Sequence, residues 1–540
     1  ALVPEEMFLM TEVAPKITYT ATPDQIEAMH ESFDEALARF QQTYGKVYPI
    51  VIDGKDRTGR DHFDVTAPAD VSLVLGRMQR GNSTDVDDAV AAAKAGYPEW
   101  STRPWQERVR LMHAAADKIR ERKFDLAAIM ILECGKTRTE AIGEVEEGAD
   151  LLDYYARQVE RTQNFTLRME SLDPREHNHS VQRPFGVWAV LAPFNFPHAL
   201  AAGPISGALV AGNTVVFKPA SATAISGYEL FRAFIDAGVP TGALQFITGG
   251  GEEVGETLVR HPDIDGTVFT GSKEVGFDLY RTFSTEFPKP IITEMGGKNP
   301  AIVTRNASLD KAVEGIVRSA FGFSGQKCSA CSRVYVERPV YDDFIERLVA
   351  RTGELVVGNP VERDVFVGPV IDERAVERFE KAVSSASDGT VRAGGKVLSD
   401  GSLSKGTFVA PTIIDDLPLD HDLFKRELFL PLLVVGAVDS LDEALAEAND
   451  SEYGLTAGIF TEDEREIDTF FEGIEAGVVY ANRKGGATTG AWPECQPFCG
   501  WKGSGSTGKG ALGPYYVQQF LREQGRTVVT DDEMSPTTPL

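Results

Sequence analysis

Cys328 stands in Gly325-Gln-Lys-Cys-Ser-Ala-Cys-Ser332, between an apolar helical stretch, Leu309 to Phe321, and the strand Val334-Tyr-Val336. A thiolate adds readily to a carbonyl carbon, so a cysteine held in a glycine-hinged turn is a candidate nucleophile. Two plainer readings compete. A cysteine inside a reducing compartment is most often a small buried side chain. The close pairs Cys328/Cys331 and Cys495/Cys499 also supply four thiols of the kind that structural zinc uses. The long gap between the pairs, and the lack of knuckle glycines beside them, weigh against the metal. Glu294 follows the apolar run Ile291-Ile-Thr293 and precedes Gly296-Gly297. A carboxyl so placed can serve as a general base with a raised pKa, or simply as a cap or surface acid. Asn195, in Pro193-Phe-Asn-Phe-Pro197, offers an amide that can donate to an oxyanion, although Asn is also an ordinary turn residue.

These residues need a scaffold, and the chain supplies alternating helices and short apolar strands, the pattern of an α/β fold with parallel sheets. Strands are expected at Gly186 to Ala192, Thr214 to Phe217, Leu244 to Ile247 and Gly266 to Thr270. Their carboxyl ends run into Asn195, Lys218, the Gly249–Gly251 cluster and Gly271-Ser272. In a parallel sheet that edge is where ligands bind. Gly271-Ser-Lys-Glu-Val-Gly276 should open a helix whose free N–H groups suit a pyrophosphate. Gly251 gives a second signal of the same kind. Lys218, at a strand end, can bond a ribose hydroxyl or simply reach solvent. Helices are expected over 23–43, 85–95, 107–122 and 140–161. No repeat of 20 to 50 residues is evident.

The 540 residues suggest three or four structural units. Hydrophobic residues make up 42% and charged residues 25%, as in ordinary globular chains. The net charge of −27 repels phosphate backbones and argues against nucleic-acid binding. The 34 Arg against 20 Lys fit a plain acidic protein or a salt-adapted surface. No apolar run reaches the ~20 residues of a membrane span. The first residues, with one Lys and three Glu, read as neither a secretory signal nor a transit peptide. Five cysteines are too few and too odd for a disulfide framework, which points to a reducing compartment. The cytoplasm is the expected location, with the mitochondrial matrix as the alternative. The tail beyond Arg526, polar and with two prolines, is expected to be loosely ordered.

Taken together, Pro193-Phe-Asn-Phe-Pro197, Lys218-Pro219, Phe269-Thr-Gly-Ser272, Glu294-Met-Gly-Gly297, Gly325-Gln-Lys-Cys328 and Glu427-Leu-Phe-Leu-Pro431 resemble, in order and spacing, the aldehyde dehydrogenase superfamily. The similarity spans roughly residues 50 to 525. The wording from Gly325 to Arg333, the loop Asn482-Arg-Lys484 with Thr489-Gly-Ala491 and Gln496-Pro-Phe498, and the N-terminal extension resemble its 1-pyrroline-5-carboxylate dehydrogenase branch. There are departures. Cys499 stands where the branch has glycine, the stretch Gly485 to Thr488 is about two residues longer than usual, and Pro493-Glu494 replaces small or apolar residues.

The resemblance implies a Rossmann-like NAD-binding domain, an α/β catalytic domain and a β oligomerisation element. The NAD-binding domain would comprise residues 1–165 and 190–294, and the catalytic domain 295–480. An aldehyde-anchor loop would occupy 481–504. The oligomerisation element would take 166–189 and 505–540, the latter with the tail. It further implies Cys328 as nucleophile, Glu294 as hydrolytic base and Asn195 as oxyanion donor. Lys218, Ser221, Gly251, Gly271, Ser272, Gly276, Glu427 and Phe429 would surround the cofactor, NAD. Ser221 stands where many relatives carry Glu, and it lacks the charge that repels a 2′-phosphate, so NADP stays open. Ser329, Gly490 and Ala491 would hold a substrate carboxylate. Phe196 and Phe498 would flank its chain, and Glu140 would lie near an amine. The expected reaction is oxidation of L-glutamate γ-semialdehyde to glutamate, with no resident metal. The expected partners are a second copy of the chain and proline dehydrogenase. A different aldehyde, or a non-catalytic member, is the alternative.

Overall fold

The computed structural model describes residues 17–19, 27, 29–59 and 61–530. Two seven-stranded sheets organise it. The first runs, edge to edge, Ile291–Glu294, Gly266–Thr270, Val187–Leu191, Thr214–Lys218, Leu244–Phe246, Ile50–Ile52 and Lys55–Arg57. Its first five strands are parallel, and the last two add antiparallel. The chain starts this parallel set at Val187–Leu191, builds outward to one side, then returns to add Gly266–Thr270 on the other. The order therefore reverses between those two strands, and a crevice opens at their carboxyl ends, where α/β sheets bind ligands.

The second sheet runs Thr390–Ala393, Thr412–Asp415, Leu432–Val438, Cys331–Glu337, Asn299–Val303, Thr456–Phe460 and Val478–Ala481. All pairs are parallel except the first. Only Met295-Gly-Gly-Lys298 separates the last strand of the first sheet from Asn299 in the second. That short link sets the carboxyl edge of one sheet, with Glu294, against the amino edge of the other, with Cys328.

The parallel strands are buried on both faces and rich in Val, Ile and Phe, as such sheets require. The helix Arg138–Arg161 is buried along most of its length, and packs on Trp105–Glu121 and Ala199–Ala211. Among the described residues no helix is long and apolar enough to cross a membrane.

The expected strands Gly266 to Thr270 and Thr214 to Phe217 are found, the latter one residue longer. Helix Leu309–Phe321 is found as expected. The helices expected over 85–95, 107–122 and 140–161 run Ser83–Thr102, Trp105–Glu121 and Arg138–Arg161. The helix expected from residue 23 is described as His30–Gln41, and positions 23–26 and 28 lie outside the described residues.

Two boundaries differ from expectation. Val187, Trp188 and Ala189, assigned to the oligomerisation element, belong to a central strand of the first sheet. Their unbroken apolar run demands burial on both faces. Residues between 505 and 520 also pack inward, with Tyr516 stacked on Tyr155 at 5.1 Å between ring centroids. The separate antiparallel sheet is instead Leu521–Val529, Glu176–Pro184 and Leu167–Arg168. Thr527, Val528 and Val529, expected in a loose tail, are paired in its first strand, and 531–540 lie outside the described residues.

Candidate active site

The cysteine turn is built by an unusual backbone. Helix Leu309–Phe321 ends, and Phe323, Ser324 and Gly325 follow in the left-handed region with φ of 50°, 54° and 67°. The two non-glycine residues cost roughly 1–3 kcal/mol each. Gly325 has no choice, since a side chain there would strike the Leu430 carbonyl. The strain is held by bonds outside the turn. Ser324 Oγ donates to the Gly368 carbonyl at 2.7 Å, and the Ile371 N–H donates to Gln326 Oε1 at 2.8 Å.

Asn299, which the sequence reading passed over, fixes what comes next. Its Nδ2 donates to the carbonyls of Cys328 at 2.7 Å and Ala330 at 2.9 Å, and its Oδ1 accepts from the Thr456 N–H at 3.0 Å. A wholly buried Asn at the start of a strand must find such partners, and that was the available signal.

Cys328 keeps part of its surface open. Burial, then the carboxyls of Glu427 and Glu294, push its thiol up to about 12, so it rests protonated. Cys331 points away into the apolar core of the second sheet. Among the described residues no group of three or more Cys, His, Asp and Glu side chains could hold a metal. Glu294 ends the edge strand Ile291–Glu294. Burial pushes its carboxyl up to about 8, and its Oε2 has no hydrogen-bond partner among the described residues.

Cys328 and Glu294 line one cavity of about 770 Å³ of empty space, part of it open to solvent. Of the expected substrate residues, Phe196, Ser329, Gly490, Ala491 and Phe498 also line it. Leu151, Tyr155, Leu512 and Tyr516 complete an apolar wall that motif spacing did not reveal. Asn195 is buried in its turn, Glu140 is half-buried in the first turn of its helix, and neither is a lining side chain. Glu140 is bound to Lys327 Nζ at 2.7 Å. The ring of Phe196 lies under Lys136 Nζ, 3.5 Å from its centroid, and Lys136 pairs with Glu144 at 2.8 Å. Glu144 in turn accepts the His198 and Ala199 N–H groups at 2.8 and 3.2 Å, which fastens the end of the Asn195 turn.

The loop carrying Gly490 and Ala491 is held from behind by Arg483. Its guanidinium donates to the carbonyls of Thr489 at 2.8 Å and Gly490 at 2.6 Å, and lies over the Tyr480 ring. Gly490 has a φ of +88°, which favours glycine. The inserted Glu494 is drawn outward by Arg157 and Arg161 at 2.8 and 2.9 Å and does not line the cavity.

The residues expected around a dinucleotide fall along the crevice edge of the first sheet and the link beyond it. Lys218 is buried at a strand end, where among the described residues only the Pro219 carbonyl accepts from it, at 3.1 Å, and burial lowers its amine to about 8. A buried amine with no counter-ion among the described residues suits the hydroxyls of a ribose. Ser221 Oγ is spent on the Gly249 carbonyl at 3.2 Å. A side chain at Gly250 or Gly251 would meet nothing within 4 Å, so there is space over that turn. Ser272 caps helix Lys273–Thr282 by accepting the Val275 N–H at 3.4 Å. Side chains at Gly271 and Gly276 would strike Phe269 and Met295, so packing by itself requires glycine at both positions. Glu427 accepts the Gly297 N–H at 2.9 Å, and burial pushes its carboxyl up to about 7. Phe429, at a φ of 61°, packs edge-on against Phe194 with ring centroids 5.8 Å apart. This donor set fits NAD.

Residues 55–525 match the model of the aldehyde dehydrogenase family. The chain is 37% identical over 509 residues to 1-pyrroline-5-carboxylate dehydrogenase of a Geobacillus strain, covering 93% of this chain and 96% of that one. It superimposes on NAD-bound 1-pyrroline-5-carboxylate dehydrogenase from Thermus with a TM-score of 0.90 and 34% identity, over 97% of this chain and 100% of that one. It also matches proline utilization A from Bdellovibrio bacteriovorus, with a TM-score of 0.90 and 36% identity over 95% of this chain. The match spans about half, 53%, of that longer protein.

Proposed function

The chain belongs to the aldehyde dehydrogenase family, and on that premise we propose that it oxidises L-glutamate γ-semialdehyde to L-glutamate with NAD. The observation that carries this reading is the single cavity joining Cys328 and Glu294 to Ser329, Gly490, Ala491, Phe196 and Phe498. Cys328 Sγ adds to the aldehyde carbon, its proton passing to a base, and Glu294 is the carboxyl in the same cavity. The oxyanion takes hydrogen bonds from the Asn195 amide and the Cys328 N–H, donors worth about 3 kcal/mol each in such sites. NAD held in the crevice would supply the acceptor for the hydride that leaves the carbon. Cys328 then carries a thioester. Glu294 takes a proton from water, which attacks the thioester and releases the acid.

Lys218 and Glu427 would hold the two riboses, with Phe429 steadying the nicotinamide end and Ser272 the pyrophosphate. Ser329 and the N–H groups of Gly490 and Ala491 would receive the substrate carboxylate, and Phe196 and Phe498 its methylenes. Glu140, already neutralised by Lys327, acts on an amine only at a distance. The first sheet with its helices, through residue 165 and from Val187 to Glu294, forms the cofactor side, residues 295–480 the cysteine side, 481–504 the anchor loop, and the antiparallel sheet ending in Leu521–Val529 a dimer contact. Five unpaired cysteines fit a cytoplasmic setting. Proline dehydrogenase is the expected supplier of substrate.

The test is NADH formation by the purified chain. The semialdehyde should exceed pentanal in kcat/KM by at least ~10²-fold, because a site built for a carboxylate leaves its donors unpaired by the analogue. Equal values would remove the substrate assignment and leave the reaction class. Absence of NADH with every aldehyde would remove both.

A further inference from the structure

Tyr19 lies outside the stretch that matches the family model, which starts at residue 55, yet it lines the aldehyde cavity. It also lines a second, outer cavity of about 1180 Å³ of empty space. The outer cavity is polar, walled by Arg120, Asp150, Asp153, Arg157 and Arg483, among others. Among the described residues only Tyr19 and Gly490 line both. Together they form the partition between an apolar chamber and a charged one. Gly490 belongs to the carboxylate anchor, so the partition stands at the end of the chamber where the substrate's head would rest.

The ring is held from several directions. It meets Phe196 edge-on at 5.9 Å and Trp492 at 5.8 Å between centroids. Lys327 Nζ lies 5.8 Å from its centroid. Its hydroxyl donates to Glu147, whose carboxyl also lines the inner cavity. The ring lies close against the helix backbone at Gly143, where even a methyl would sit 2.9 Å from Tyr19 Cδ1. A side chain so fixed is a wall of defined position.

We propose that Tyr19 is a specificity-determining residue that ends the aldehyde cavity and so sets the length of aldehyde the enzyme accepts. For the amino-acid aldehyde this rests on the substrate reading above. The hydroxyl contributes by keeping Glu147 occupied, and the ring by filling space. Loss of the ring joins the two chambers. The anchored head of a longer substrate then passes the former wall and meets the polar lining of the outer one.

The experiment compares kcat/KM for glutamate semialdehyde and for its homologue one methylene longer, in the wild-type chain, Tyr19→Phe and Tyr19→Ala. One methylene is worth about 10-fold or more in a closed apolar pocket. The wild type should prefer the shorter aldehyde by that factor. Tyr19→Phe should keep the preference within a few-fold, and Tyr19→Ala should abolish or reverse it. An unchanged preference in Tyr19→Ala overturns the proposal. So does an equal rise in kcat/KM for both aldehydes, which marks an entry gate instead of a wall. If Tyr19→Ala does not fold, Tyr19→Val and Trp492→Ala, which removes one of the ring's supports, should each weaken the preference, and failure of both overturns it. If the wild type oxidises neither amino-acid aldehyde, the substrate reading falls separately. The same shift is then sought with pentanal through octanal, and its absence overturns the wall.

Discussion

Two sulfurs three residues apart have opposite surroundings. Cys328 borders the cavity and Cys331 is packed in the core of the second sheet. Cys328→Ala should abolish NADH formation while leaving NAD binding by fluorescence unchanged. Cys331→Ala should keep most activity and lower the melting temperature by only about one degree, the effect of about 1 kcal/mol lost from the core of a chain this long. The reverse pattern would reassign the nucleophile. Glu294 gives a second expectation. Its carboxyl, raised to about 8 by burial, becomes a competent base only as pH rises through that value. Steady-state kcat should therefore climb with pH up to about 8 and then level. Glu294→Gln should still release a first burst of NADH, but turn over at least ~10²-fold more slowly, with the climb gone. A variant that retains both rate and climb would transfer the base role elsewhere.

At the scale of elements, the anchor loop depends on an arginine that touches no substrate. Arg483→Ala removes both bonds to the Thr489 and Gly490 carbonyls. KM for the semialdehyde should rise at least ~10-fold, the scale of losing a charge-assisted bond pair. The kcat for propanal, which has no carboxylate to anchor, should change little. Equal effects on both would make Arg483 a general support of the fold.

Such elements differ in how far the sequence reveals them. Helix Leu309–Phe321 and strand Gly266–Thr270 carry their own period and turn signals, and both are found at the expected bounds. Strand order leaves no local mark: nothing near Gly266 announces that its neighbours are Val187–Leu191 and Ile291–Glu294. The same holds for the cavity. Cys328, Glu294 and Asn195 stand in motifs, whereas Tyr19, Glu147, Leu151 and Tyr516 reach the site through packing alone. The glycines at 271 and 276 do not declare their role in the sequence, because tight packing and close ligand approach both select glycine, and only the structure shows the packing.

For the whole molecule, the antiparallel sheet is the exposed feature most in need of a partner. Strand Leu521–Val529 is exposed beyond Leu521, and one of its edges is unpaired among the described residues. Leu167, Met169, Leu172 and Val529 are at least half exposed on it or on adjoining residues. An open edge beside apolar side chains is a ready pairing surface. The chain should sediment as a dimer or a larger even oligomer at micromolar concentration. Val529→Asp combined with Leu167→Asp should halve the mass. A wild-type monomer would mean that this sheet serves something other than self-association.

The resting protonation of Cys328 also governs how the protein ages. Alkylating agents and peroxides attack thiolates, and a thiol raised to about 12 offers about three-thousandfold less thiolate at neutral pH than an ordinary one near 8.5. The protein left without ligand should keep its nucleophile intact under iodoacetamide, while the exposed Cys495 is consumed first. Whatever draws the Cys328 proton away during turnover also opens it to damage. Time-resolved labelling read by mass spectrometry would thus mark the interval in which the enzyme is armed, with the idle molecule carrying its own protection.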